Sequence, residues 1–131
     1  MSRRKNDLGA QGENIAVRYL QNKGYRIVAR NYRTRFGEID IIAEQGPDLV
    51  FVEVKTRASG LFGSPLDSVD VNKQKQLSRV ALDYMSRKGC ENRPARFDVV
   101  GILLKNRGFS REGDVAVELV RNAFDFCRGS W

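Results

Sequence analysis

The segment from Gly37 to Arg57, GEIDIIAEQGPDLVFVEVKTR, restricts the fold of this chain more than any other. Its apolar residues are β-branched or large, which is typical of strands, and they flank the turn-forming pair Gly46 and Pro47. We therefore predict two antiparallel strands joined by a tight turn. A turn centred on this pair also sets the register of the two strands.

Four charged side chains lie inside these predicted strands. The register places Asp40 opposite Glu53, and Glu38 opposite Lys55. Like charges directly opposite each other destabilise a sheet, and partial burial would raise the pKa of one carboxylate, so a positive partner is needed. Lys55 is one candidate. A divalent cation is another, because Mg²⁺ binds one or two carboxylates together with water and phosphate. The hairpin therefore predicts half of a metal site with a lysine beside it.

Alternation of side chains along a strand assigns other hairpin residues to faces. Ile39 and Ile41 are expected to share the face away from the charges, whereas Leu49 and Phe51 share the face of Glu53. This mixture of apolar and charged side chains favours a partly buried polar pocket. An ordinary cluster of ion pairs on a solvated sheet face is the alternative structural interpretation.

The composition limits the partners and the catalytic mechanisms that are possible for this chain. The chain has 131 residues, enough for one domain over residues 1–131, and its formal net charge of +7 indicates a polyanionic partner. Nucleic acid is the first candidate for that partner, and an anionic membrane surface is the second. Because histidine is absent, Ser–His and Cys–His catalysis are excluded, and any reaction must use carboxylates, lysine and metal. With no membrane-spanning apolar run and no secretory signal, we expect a cytoplasmic protein with reduced Cys90 and Cys127.

Periodicity and turn residues predict the remaining elements. In chain order they are a helix over Asp7–Lys23, a strand over Tyr25–Arg33, the hairpin, a helix over Asn72–Lys88, and strands over Arg96–Leu104 and Val115–Val120. The segments 58–65 and 105–114 are predicted loops. The order α-β-β-β-α-β-β is typical of a single α/β domain with a central mixed sheet of about five strands flanked by helices.

The first predicted helix carries two residues with special positions. Gly12 lies in the middle of its apolar face, where the missing side chain permits close packing against a sheet. Glu13 lies at the margin of that face and is expected to point along the sheet surface. A plain solvated residue at the helix edge is the alternative interpretation of Glu13.

These elements and motifs resemble a known group of nucleases. A Glu in the first helix, Asp40 on one hairpin strand and the EVK of the next strand are similar to the PD-(D/E)xK motif of restriction-endonuclease-like nucleases. Within that superfamily the likeness is to archaeal Holliday-junction resolvases. More narrowly, GEIDIIA, LVFVEVKTR, FGSPLDSV and RFDVV resemble the bacterial YraN-like family over nearly the whole chain. Gly-Glu-Ile precedes Asp40 where the motif often has proline.

The resemblance implies a restriction-endonuclease-like fold and a metal-dependent endonuclease. Asp40, Glu53, the Val54 carbonyl and Glu13 would bind Mg²⁺ or Mn²⁺, with Glu13 acting directly or through water. Asp40, Glu53 and Lys55 would be catalytic, and Lys55 would orient water or offset charge in the transition state. DNA is the expected substrate, and a preference for branched or structured DNA rests on the resolvase likeness alone. A homodimer is expected if two strands are cut symmetrically.

Further residues are candidates for contact with phosphate. Arg57 continues the face of the catalytic lysine, and Lys73 and Lys75 open the second helix, where cations oppose the macrodipole unless an anion binds there. Each of the three has an alternative interpretation as a solubilising surface residue. Glu38 is interpreted as a partner of the catalytic lysine, and Asp98 as a structural carboxylate.

Two other functions stay open. One is a non-catalytic nucleic-acid-binding module of the same fold, which binding of a divalent ion at the hairpin would distinguish from a nuclease. The other is an RNA nuclease. Because no zinc finger or helix-turn-helix is evident in the sequence, contacts with phosphate should dominate the affinity for nucleic acid. The C-terminal segment AFDFCRGSW predicts core packing by its phenylalanines and a dimer contact by Trp131.

Overall fold

A computed structural model describes residues 3–57, 65–104 and 115–127, with side chains from residue 8 onward. The loop predicted over residues 105–114, the dimer contact predicted for Trp131, and all of the loop predicted over residues 58–65 except Pro65 lie outside these ranges. No helix within them is long and apolar enough to cross a membrane.

The described residues form eight elements, and the two α-helices and five strands among them follow one another in the predicted order. They are α1 (Arg3–Asn22), β1 (Arg26–Thr34), β2 (Gly37–Gln45), β3 (Asp48–Arg57), a short 3-10 helix (Pro65–Ser68), α2 (Val71–Lys88), β4 (Ala95–Leu104) and β5 (Val115–Val120). The five strands form one sheet in the order β1-β2-β3-β4-β5. Only β3 and β4 are parallel within it, and α2 lies in the crossover that a parallel pair requires. This mixed α/β arrangement confirms the predicted fold class and is consistent with a restriction-endonuclease-like fold.

Two buried clusters fix the layers. One lies between the sheet and α2, and the other lies between the sheet and α1. One face of α2 is buried in the first cluster and consists of Leu77, Val80, Ala81, Tyr84 and Met85. Phe124 and Phe126 pack on Phe97 in the same cluster, with ring centroids 4.6 and 4.5 Å away, which confirms their predicted core packing.

The β2–β3 hairpin has the predicted register. Ile41 pairs with Val52, and the same register places Asp40 beside Glu53 at the end of the hairpin that is distant from the turn. Phe51 packs in the cluster beneath α2, on the face of Glu53, as predicted.

One assignment of faces is wrong. Ile39 packs in the cluster beneath α2, whereas Ile41 packs in the cluster beneath α1, so the two do not share a face. The register of β1 on β2 places Asn31 opposite Asp40, and Asn31 has a left-handed backbone with φ 52°. The regular alternation of both strands is therefore interrupted beside Asp40.

Close packing of α1 on β3 depends on Gly12. A Cβ atom at this position would lie 1.9 Å from the Thr56 hydroxyl oxygen, so the missing side chain is what permits the contact. This confirms the prediction for Gly12. The contact also brings the next residue, Glu13, against the sheet.

Both ends of α2 are capped. The Asp70 side chain accepts the Lys73 backbone N–H at 2.8 Å, and Gly89 ends the helix in a left-handed conformation with φ 65°. The predicted end of this helix at Lys88 is confirmed, whereas the N-cap was not identified from the sequence. This cap fixes the backbone of the first turn, where Lys73 lies.

The carboxylate of Asp98 in β4 is fully buried and structural, as predicted. It accepts hydrogen bonds from the Tyr25 hydroxyl at 2.6 Å, from Arg96 Nε at 3.0 Å and from the Asn122 backbone N–H at 2.9 Å. A buried charge with this many donors has its desolvation offset and needs no further ligand.

Candidate active site

The candidate site lies where β2 and β3 separate. The last pair of their ladder is Ile41 with Val52, and beyond it the Asp40 carboxylate accepts the Val54 backbone N–H at 2.8 Å. The Asp40 side-chain oxygen thus accepts a β3 backbone N–H in place of a backbone carbonyl. This bond fixes the Asp40 carboxylate beside the strand that carries Glu53.

Two carboxylates lie side by side here. Burial raises the pKa of Asp40, the nearby Glu53 carboxylate raises it further, and the Val54 N–H only partly opposes them, so that the pKa is about 8. The register predicted this juxtaposition of Asp40 and Glu53. A site of this kind favours a bound proton or a bound cation over two bare anions.

Lys55 lines two cavities, one beside Asp40 and the other beside Glu53. A cavity of about 650 Å³ is lined by Asp40, Glu13 and Lys55 among other residues. A second cavity of about 510 Å³ is lined by Glu53, Lys73 and again Lys55. The Lys55 side chain is exposed and makes no ion pair with any residue in the described ranges. Its ammonium group is therefore available to an anion that enters either cavity.

Glu13 borders the site but is already held by two donors. It is only 8% exposed, and its carboxylate accepts Arg30 Nε at 2.8 Å and Asn31 Nδ2 at 3.1 Å. The solvated alternative for Glu13 is therefore wrong. Sequence reasoning missed Arg30 and Asn31, because no local pattern shows that a β1 residue will reach a helix across the sheet.

Glu53 is also paired. Its carboxylate lies 3.5 Å from the Lys73 ammonium, and the two side chains are 14% and 35% exposed. Lys73, which was predicted to contact phosphate, therefore forms an ion pair with Glu53 inside the site. The sequence feature that could have predicted the position of Lys73 is Asp70, a typical N-cap residue directly before the helix.

The remaining predicted residues lie farther out. Lys75 is exposed on α2, and Arg57 is half-buried at the end of β3. Arg57 and Lys55 line a third cavity, of about 420 Å³, on the β4–β5 side. The interpretation of Glu38 as a partner of Lys55 is wrong, because Glu38 pairs with Arg33 on the neighbouring β1 at 3.1 Å.

The donor set fits a hard divalent cation. Asp40, Glu53 and the Val54 carbonyl offer only oxygen, and Mg²⁺ commonly takes one or two carboxylates and completes its shell with water and phosphate. Within the described ranges no three acidic or thiol side chains are grouped closely enough to hold a metal together. Arg30 and Asn31 both donate to the same oxygen of Glu13, Oε1.

The residues of the candidate site all lie in a part of the chain that matches a known protein family. Residues 12–102 match the model of the uncharacterised protein family UPF0102. The chain belongs to this family. The matched segment includes every candidate ligand and cation named for the site. This agrees with the predicted YraN-like membership.

UPF0102 relatives extend along most of the chain. The UPF0102 protein of Syntrophus aciditrophicus is 45% identical over 121 residues, which are 92% of this chain and 91% of the relative. That of Chlorobium chlorochromatii is 47% identical over 118 residues, 90% of this chain and 91% of the relative. Among solved structures, SfsA of Pyrococcus furiosus in complex with Ca²⁺ is similar at 13% identity and a TM-score of 0.39, over 86% of this chain and 62% of that one.

Proposed function

We propose that this UPF0102 member is a Mg²⁺- or Mn²⁺-dependent endonuclease that hydrolyses phosphodiester bonds in DNA. One observation carries the proposal. Asp40 and Glu53 lie side by side at the end of a hairpin, and the exposed Lys55, which has no ion-pair partner within the described ranges, lines both cavities that adjoin them. Two clustered carboxylates repel each other, and a bound divalent ion would offset that repulsion.

Each residue has a role in this proposal. Asp40, Glu53 and the Val54 carbonyl would hold the ion, which when bound lowers the pKa of a water molecule and offsets charge on the phosphoryl oxygens. The Val54 N–H holds Asp40 in its orientation at 2.8 Å. Lys55 donates to a phosphoryl oxygen or orients the attacking water. None of these roles requires histidine, which the chain lacks.

The substrate is proposed from charge and from the resemblance. A net charge of +7 favours a polyanion, and Arg57, Lys73 and Lys75 extend the positive surface away from Lys55. DNA of branched or structured form follows from the likeness to archaeal Holliday-junction resolvases. The proposed location is the cytoplasm. A homodimer would place two active sites symmetrically on the two strands of such DNA.

A non-catalytic nucleic-acid-binding module is the second candidate. Two ion pairs favour it, because Glu53 is paired with Lys73 and Glu13 with Arg30. A site neutralised by its own cations can persist without a divalent ion. An RNA nuclease with the same residues is a variant of the first proposal.

Cleavage of a panel of nucleic acids tests the proposal. Linear, nicked, forked and four-way DNA and matched RNA forms are incubated with Mg²⁺, Mn²⁺ or chelator. We expect cleavage of at least one DNA form that chelator abolishes. Asp40→Asn and Glu53→Gln should each reduce the rate by a factor on the order of 10² to 10³ or more, while binding is largely retained.

Asp125→Asn is the matched control, because Asp125 is exposed in the C-terminal segment and the same change of charge there should leave the rate unaltered. Cleavage of RNA alone would select the RNA nuclease. If the wild-type protein binds DNA but cuts no form with either metal, the endonuclease is refuted and the binding module stands. Equal cleavage by Asp40→Asn would remove the hairpin as the active site.

A further inference from the structure

Lys73 occupies a position that helix energetics alone disfavour. It lies in the first turn of α2, which contains no acidic residue, and a cation there opposes the helix macrodipole. The Asp70 cap holds its backbone N–H at 2.8 Å, so the start of the side chain is fixed. The compensating partner is Glu53, whose carboxylate lies 3.5 Å from the Lys73 ammonium.

This ion pair is not an ordinary surface pair. The Glu53 side chain is only 14% exposed, so its charge is poorly solvated and depends on a nearby cation. Glu53 is also one of the two carboxylates that adjoin the candidate metal position. A divalent ion and the Lys73 ammonium therefore compete for the same negative charge.

The surrounding cavity offers Lys73 a second partner. Two ammonium groups, those of Lys73 and Lys55, line the cavity of about 510 Å³ around Glu53. The other carboxylate of this cavity, Asp70, already accepts the Lys73 backbone N–H. When the charge of Glu53 is taken up by a divalent ion, both ammonium groups therefore face the cavity without the carboxylate that held Lys73. A phosphodiester group carries the charge and the acceptor oxygens that such a pair binds.

We infer that Lys73 is an exchangeable counter-ion of the site. It neutralises Glu53 when no divalent ion is bound, and it binds a non-bridging phosphate oxygen of the nucleic acid when an ion is bound. The second half of this inference rests on the proposed nuclease function, whereas the first half does not. Lys73 is thus a positioning residue that couples occupation of the metal site to capture of phosphate.

Substitution of Lys73 by Met should change two measurements in opposite directions. Removal of a positive charge near the ion should tighten Mn²⁺ binding without nucleic acid by roughly fivefold, the effect of a unit charge acting on a divalent ion through a water-like dielectric. The single-turnover cleavage rate at saturating Mn²⁺ should fall roughly tenfold or more, because a charge-assisted contact with phosphate is lost. Isothermal titration calorimetry measures the first quantity and quenched-flow cleavage the second.

Two further variants separate this role from others. Lys88→Met makes the same change of charge in the exposed last turn of α2, and it should leave the Mn²⁺ affinity unchanged. Lys73→Arg keeps the charge, and it should retain the wild-type Mn²⁺ affinity and restore part of the cleavage rate. A circular-dichroism spectrum and an unfolding midpoint establish that each variant is folded.

The outcomes distinguish the inference from the proposed function. If Lys73→Met leaves Mn²⁺ affinity unchanged or weakens it, the counter-ion inference is wrong, whatever happens to cleavage. If the wild-type protein binds Mn²⁺ but cuts no nucleic acid, the proposed function fails, and a tighter Mn²⁺ site in Lys73→Met still supports the counter-ion. If the wild-type protein binds no Mn²⁺, both are wrong.

Discussion

Substitution of Gly12 by Ala should destabilise the protein even though alanine is the better helix former. In a helix interior, Gly to Ala favours folding by about 1 kcal/mol. At position 12, however, the added Cβ would lie 1.9 Å from the Thr56 hydroxyl oxygen, and 3.0 and 3.1 Å from Cβ and Cγ2 of that residue. Thr56 is β-branched and belongs to the central strand β3, so rotation cannot clear the space, and overpacking of this kind costs about 1–3 kcal/mol or more.

Gly9 is the matched control in the same helix. A Cβ atom there would meet no heavy atom within 4 Å. Gly9→Ala should therefore raise the free energy of unfolding by about 1 kcal/mol, through the higher helix propensity of alanine alone. Gly12→Ala should lose about 1–2 kcal/mol net, and the added substitution Thr56→Ala should recover much of that loss, because it removes the oxygen that clashes. Urea denaturation followed by circular dichroism at 222 nm measures all four proteins. The reasoning is refuted if Gly12→Ala is as stable as Gly9→Ala.

Two further predictions concern carboxylates. The pKa of Asp40, about 8, lies above that of an exposed carboxyl group, so the folded protein binds more protons than the unfolded chain between about pH 4 and 8. In metal-free buffer the free energy of unfolding should therefore fall as pH rises through this window, and Asp40→Asn should remove most of the fall; an equal slope in both proteins would contradict this. Asp98→Ala should cost about 3–5 kcal/mol in urea denaturation, because Arg96 loses a buried partner, whereas Asp83→Ala, in an exposed pair with Arg87, should cost less than about 1 kcal/mol.

The fold was predictable where single residues determine local geometry. The turn at Gly46 and Pro47 set the register that brings Asp40 beside Glu53, and Gly89 marked the end of α2. Each of these follows from backbone restrictions that act within a few residues.

The candidate site was predictable only in part, because most of its charges meet across the sheet. The pairing of Glu53 with Lys73 depends on where α2 begins, and that position depends on the cap that Asp70 provides. The hydrogen bond from Arg30 to Glu13 depends on how closely α1 approaches the sheet. No pattern within a single segment contains this information. Separations of many residues in the chain therefore concealed which cation pairs with which carboxylate, while the two carboxylates of one hairpin were recognisable from the sequence.

The parallel pairing of β3 with β4 has a consequence for the order of folding. Leu49 pairs with Ala95, so this contact closes a long loop that includes α2, whereas β1, β2 and β3 connect through short turns. Loop-closure entropy makes such distant pairings slow, and local hairpins form first. We expect the three-stranded meander to assemble early and the docking of β4 and α2 to limit the folding rate. Asp40 and Glu53 would then meet before the counter-ion from α2 arrives, and their repulsion would be part of the folding barrier.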